Sequence, residues 1–115
     1  SCLTADGRVE MDASVAEGTT LRAGAVALVT RTRHPVAIAR GLLDRGGTVF
    51  LAGDAADAWA HAHGLAPCTQ EDLITARQRE LWARGRAGLN TGTVGAVAVD
   101  GRGHTAAATS TGGIM

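Results

Sequence analysis

Gly92-Thr93 places a threonine directly after a glycine, at the start of an apolar run (Val94 to Val99) and just past a Gly-rich basic stretch (Arg84 to Thr91). That arrangement suits a nucleophile released by self-cleavage. The hydroxyl would attack the preceding carbonyl, an N-to-O acyl shift would form an ester, and hydrolysis would leave Thr93 as a new N-terminus. Glycine at position 92 lets the backbone strain without a Cβ clash. The freed α-amine has an unperturbed pKa of about 7.7–8.0, near the neutral value that proton transfer from a hydroxyl needs. One residue would then supply nucleophile and base, with no histidine required. On spacing alone, Gly-Thr-Val-Gly also reads as an ordinary strand entry, because such short runs are weakly specific.

A second run, His104 to Thr109, follows Asp100-Gly-Arg-Gly103, so the two runs read as a hairpin. A loop centred on Arg102 pairs Val99 with Thr105, Val97 with Ala107, Gly95 with Thr109 and Thr93 with Thr111. Directly paired residues have Cβ atoms about 4.5–5.5 Å apart, so Thr111 could hydrogen-bond the Thr93 hydroxyl or amine. A one-residue slip would put Ser110 there instead.

Other polar residues read more plainly. His61 and His63 are two apart on an expected helix and point to opposite sides, as solvated surface histidines rather than a metal pair. His104 falls at a hairpin tip. Asp12 reads as a buried, hydrogen-bonded structural carboxylate, with a direct catalytic role as the lesser alternative. Arg77, Arg79, Arg84 and Arg86 read as a solvated helix face. Asp54 and Asp57 suit the dipole at the first turn of a helix.

The elements that must hold these residues alternate between strand and helix. Asp6-Gly7 marks a turn before a short strand from Arg8 to Ala13. Leu21 to Thr30 is a nearly continuous apolar strand, as expected for one covered on both faces. Pro35 opens a helix with Val36, Ala39 and Leu43 on one face, ended by Gly46-Gly47. Thr48 to Ala52 reads as a short buried strand, and Asp54 to His63 as a helix stopped by Gly64. Thr69-Gln-Glu-Asp72 resembles a capping box, opening a helix that runs to about Ala83. Arg84 to Thr91 reads as a flexible linker. The class is α/β (α+β).

The chain has 115 residues, at most one ordinary domain, with 11 basic and 11 acidic side chains. Neutral charge and the scarcity of aromatics (Trp59, Trp82 and Phe50) argue against nucleic acid as a partner. No apolar run approaches the ~20 residues of a membrane span. Cys2 and Cys68 are expected as thiols of a reducing, cytoplasmic compartment. The chain starts at Ser1 rather than Met and stops after a glycine pair, so both ends are expected to be cut. A piece this rich in small residues buries little area per side chain and would be marginally stable alone.

The sequence resembles the plant-type asparaginase family, also called isoaspartyl peptidases. Residues 1–65 resemble the first-subunit pattern in "Met-Asp-Ala-Ser", "Leu-Arg-Ala-Gly-Ala-Val-Ala", "His-Pro-Val-Ala-Ile-Ala-Arg" and "Phe-Leu-Ala-Gly-Asp-Ala-Ala". "Thr-Val-Gly-Ala-Val-Ala-Val-Asp" and "Ala-Ala-Ala-Thr-Ser-Thr-Gly-Gly" resemble the start of the second subunit, and residues 66–90 match loosely. The resemblance implies part of a four-layer αββα N-terminal-nucleophile hydrolase sandwich, truncated at both ends. Residues 1–92 would end the first subunit and 93–115 begin the second. It implies Thr93 as nucleophile, Gly92-Thr93 as the cleavage site and Thr111 as an assisting residue. Substrates would be amides of the aspartate β-carboxyl, namely asparagine and β-aspartyl (isoaspartyl) peptides, with no cofactor or metal, and the intact protein would pair as a dimer of αβ units. The family's upstream His-Gly-Gly and Asn-Ala-Gly stretches, its downstream arginine and aspartate, and its Thr-Gly oxyanion pair are not in this chain. The glycosylasparaginase branch, whose nucleophile usually follows His-Asp, and a catalytically inactive fragment are the alternatives.

Overall fold

The computed structural model describes residues 2–85 and 92–112. The expected linker beyond Gly85 (residues 86–91) and residues 113–115, with Gly113 of the matched motif, lie outside the described residues. Five strands, β1 (Met11–Glu17), β2 (Arg22–Val29), β3 (Phe50–Ala52), β4 (Thr93–Val99) and β5 (Thr105–Thr111), form one sheet in the order β3-β2-β1-β5-β4. Neighbours are antiparallel except β2 and β3. That parallel pair needs a crossover, which helix α1 (Pro35–Arg45) supplies. Helices α2 (Asp54–Ala62), α3 (Gln70–Leu73) and α4 (Ala76–Ala83) follow.

The central strand differs from expectation. β1 begins at Met11 rather than Arg8 and continues through Glu17, pairing with β2 on one side and β5 on the other. Its outer half carries Ser14 and Glu17, whose polarity hid the strand pattern. Met11 and Ala13 are buried.

Helix α1 buries Pro35, Ile38, Ala39, Leu42 and Leu43, an i, i+3/i+4, i+7/i+8 stripe. Val36 falls at the edge of that stripe and is exposed. Close approach to the sheet explains a glycine in the Leu-Arg-Ala-Gly motif: a Cβ on Gly24 would lie 2.0 Å from the Ala39 carbonyl oxygen. The core gathers Leu3, Val9, Val26, Val29, Ile38, Leu42 and Ala60 between helix and sheet. Coverage is one-sided. β2 alternates rather than being buried on both faces, and β3 is an edge strand with Phe50 exposed. The described residues thus form one helical layer and one sheet of a mixed α/β fold.

The capping box is present: Thr69 Oγ1 accepts from the Asp72 amide, and Asp72 Oδ2 accepts from the Thr69 amide at 2.8 Å. That amide, with the Thr69 hydroxyl, holds the Asp72 carboxyl below its ordinary value. The helix does not run on to Ala83. It breaks at Ile74, which is extended, and Thr75 caps α4 by accepting from Gln78 N at 3.2 Å. Two consecutive β-branched residues disfavour a continued turn, and the second offers its hydroxyl to the backbone.

Two side chains whose distant partners the sequence did not show tie these layers together; Asp57, expected only to suit the helix dipole, is one of them. Asp57 is fully buried; it accepts from Thr30 N at 3.0 Å, Arg31 N at 3.1 Å and Thr32 Oγ1 at 2.7 Å. It thereby shapes the loop between β2 and α1. Gln70 accepts from Val9 N at 2.7 Å and donates to the Val9 and Thr30 carbonyls. His61 is part of the Asp57 cluster rather than a solvated histidine, with Nε2 3.2 Å from the Arg31 carbonyl and 3.3 Å from Thr32 Oγ1. His63 stacks on Trp59 at 3.9 Å.

Candidate active site

The β4–β5 hairpin sets the site's geometry through its loop. Asp100 Oδ1 accepts from Arg102 N at 2.8 Å and His104 N at 3.0 Å. Gly103 takes the left-handed conformation (φ 77°), which spares it a Cβ clash. The loop is therefore closed by the Val99–Thr105 pair, and the register runs outward through Val97–Ala107 and Gly95–Thr109 to Thr93–Thr111. This is the pairing expected from a loop centred on Arg102.

At the far end of the ladder Thr93 Oγ1 donates to Thr111 Oγ1 at 3.1 Å. Ser110 pairs with Val94 instead, so the ladder's alternation turns it to the opposite face. There it lines a cleft of about 320 Å3 with Arg33, His34, Val36 and Gly92. Gly92 and Thr93 are exposed at the rim of the sheet, while Thr111 is half-buried. The next residue, Gly112, is buried, and its carbonyl accepts from Cys2 N at 2.7 Å. The Thr111 hydroxyl thus sits on an anchored strand, and the candidate nucleophile Thr93 sits on an accessible edge.

Direct pairing extends the row one strand further. Thr111 faces Asp12 across the β5–β1 ladder. Asp12 is half-buried and accepts from Leu28 N at 2.9 Å, so it is hydrogen-bonded as the sequence suggested. On this open face Asp12, Ser14, Ala27, Phe50, Thr109 and Thr111 line a hollow of about 290 Å3. A larger hollow of about 600 Å3 lies at the other end of the face, walled by Ala16, Leu21, Ala23, Val97 and Ala107. Its lining is mostly apolar, with Glu17, Arg22 and Thr105 as its polar members, so it reads as packing surface.

The alternatives for chemistry are poorer. Burial pushes the Cys68 thiol up, away from thiolate chemistry. His104 pairs with Asp100 at 3.1 Å at the exposed hairpin tip, remote from Thr93 in the ladder. Among the described residues no group of three His, Cys, Asp or Glu could hold a metal ion, and no helix is long and apolar enough to cross a membrane.

Residues 1–90 match the family model described as asparaginase, which covers most of the chain, and the chain belongs to that family. It is 42% identical to the isoaspartyl peptidase of Salmonella typhimurium, over 96% of this chain and 40% of that protein. It is 42% identical to the isoaspartyl peptidase/L-asparaginase of Rattus norvegicus and 40% identical to that of Homo sapiens, over all of this chain and 37% and 40% of those proteins. The chain therefore spans about 40% of the length of the curated relatives it matches.

Proposed function

We propose that the intact protein is a self-processing amidohydrolase that cleaves amides of the aspartate β-carboxyl, with Thr93 as nucleophile. The observation that carries this reading is the Thr93–Thr111 hydroxyl pair, 3.1 Å apart at an exposed strand start directly after Gly92. Thr111 fixes the rotamer of the attacking hydroxyl, so that less freedom is lost on the way to the transition state. In turnover the Thr93 α-amine takes the hydroxyl proton, and the aspartyl β-carbonyl becomes an ester on Oγ1. The proton passes to the departing amine, and water then releases aspartate.

The relatives' names, isoaspartyl peptidase and L-asparaginase, support β-aspartyl dipeptides and asparagine as the substrate class. Glycine before Thr93 is in keeping with that branch rather than with release of Asn-linked sugars. The substrate would be a small molecule or dipeptide, and the intact protein would pair as a dimer of αβ units.

The test uses the full-length protein. Intact mass should show two chains, cut at Gly92-Thr93, and β-aspartyl-leucine should be hydrolysed. Thr93→Ala should give one uncut chain without activity. Cleavage or hydrolysis persisting in Thr93→Ala would remove Thr93 from the mechanism. Release of sugar from a glycosylasparagine in preference to dipeptide hydrolysis would move the protein to the other branch.

A further inference from the structure

Before the first cut, Thr93 nitrogen is an amide and cannot serve as a base, so the proposed self-cleavage needs help that later turnover does not. The row Thr93–Thr111–Asp12 offers one carboxylate. Thr93 pairs with Thr111 across β4–β5, and Thr111 pairs with Asp12 across β5–β1. Directly opposed residues point to the same face, with Cβ atoms about 4.5–5.5 Å apart. The first link is a hydrogen bond, from Thr93 Oγ1 to Thr111 Oγ1. The second would run through one bridging water between the paired residues, leaving the Asp12–Leu28 bond in place.

Asp12 is held in place by an irregularity opposite it. Between Met11 and Ala13 the register slips, because Met11 faces Val29 whereas Ala13 faces Val26. β2 therefore carries an extra residue, and Leu28 takes φ 56°, a left-handed conformation that is costly for a residue with a branched side chain. Its N–H donates to Asp12 Oδ1 at 2.9 Å. That bond occupies one carboxylate oxygen and fixes the group on the face where Thr111 stands, above the hollow they line together.

We propose that Asp12 is a positioning residue for self-cleavage: acting through Thr111, its negative charge draws the Thr93 hydroxyl proton away from the Gly92 carbonyl while no α-amine exists. The inference rests on the functional reading above. In the step it assists, the bond from Thr93 Oγ1 to the Gly92 carbonyl carbon forms and the Gly92–Thr93 C–N bond breaks. The hydroxyl proton ends on the departing Thr93 nitrogen. Water then splits the ester, leaving a Gly92 carboxylate and restoring the hydroxyl. Once the amine is free it takes over the role of base, and Asp12 loses its importance.

The experiment compares Asp12→Asn in two forms of the full-length protein. One is the uncut chain; the other is a pre-cut pair, with residues from Thr93 onward expressed separately so that the amine is present from the start. Asparagine keeps the acceptor for Leu28 N and removes only the charge. Self-cleavage of Asp12→Asn should slow roughly tenfold or more, whereas the pre-cut pair should hydrolyse β-aspartyl-leucine within about threefold of its unmutated counterpart, with little change in KM. Self-cleavage at the unmutated rate would overturn the proposal, and so would an equal loss of turnover in the pre-cut pair. Leu28→Gly, which accepts the left-handed backbone without strain, provides a further check. If it restores self-cleavage to Asp12→Asn, Asp12 acts only by holding the bulge and the proposal fails. An unmutated protein that neither cuts itself nor hydrolyses the dipeptide would overturn the functional reading as well.

Discussion

Two threonine hydroxyls 3.1 Å apart are chemically unremarkable until one is given an amine of its own. Thr111 then matters for where it holds its neighbour. Thr111→Val keeps the branched shape and removes the hydroxyl, so the strand should survive while the hydrogen bond is lost. Hydrolysis of β-aspartyl-leucine by the full-length, pre-cut enzyme should fall about 10²–10³-fold, the usual loss for one oriented hydrogen bond at a reacting centre, and steady-state kinetics would show it. An unchanged rate would remove Thr111 from the mechanism, and Ser110 could not replace it because the ladder turns Ser110 to the other face. This pair was legible in the sequence because a short hairpin transmits its loop centre to every rung. Asp57 and Gln70 were not legible, since their partners, Thr30 to Thr32 and Val9, lie far away along the chain. A carboxylate in the first turn of a helix looks the same in sequence whether it faces water or a buried loop.

At the scale of elements, the site depends on how tightly α1 lies on β1 and β2. Gly24 is the contact that permits it, with the Ala39 carbonyl where a Cβ would stand. Backbone sits on both sides of that contact, so nothing flexible can yield. Gly24→Ala in the full-length protein should therefore cost about 1–3 kcal/mol or more. Gly101→Ala, which meets nothing within 4 Å, should stay within about 0.5 kcal/mol. Denaturant titration of the two variants checks this, and equal midpoints would show that the helix can ride away from the sheet. The sequence located most elements by period and punctuation. It misjudged those whose pattern was ambiguous: β1, whose outer half is polar, and the α3–α4 break, where Thr75 competes with the helix for its own backbone.

At the scale of the molecule, helices cover one side of the sheet and leave the other open. Val97 is 87% exposed and Val94 68% exposed on β4, which is bare on both faces. The open face is lined by small residues such as Ala16, Ala23 and Ala107, a surface suited to close packing against another layer. Residues 1–115 expressed alone should therefore bind a hydrophobic dye, self-associate and lack activity toward asparagine. Dye fluorescence, light scattering and an ammonia assay would report this, and a dye-silent monomer with a cooperative melt would contradict it. In sequence β2 is a nearly continuous apolar run and was expected to be covered on both faces, because a strand packed on one face and one packed on two differ by only a few alanines. The sidedness of the sheet therefore could not be read from β2 alone.

The strand order has a consequence for the lifetime of the processed molecule. β1 belongs to the stretch before Gly92 and β5 to the stretch after Thr93, and six paired positions join them, from Asp12–Thr111 to Glu17–Ala106. A cut at Gly92-Thr93 would be a nick at the rim of a sheet whose seam is intact. Separation would require that seam to part as a unit, so dilution should not pull the pieces apart on the timescale of turnover. The break would change which atoms are at a chain end while leaving the neighbours of every strand as they were.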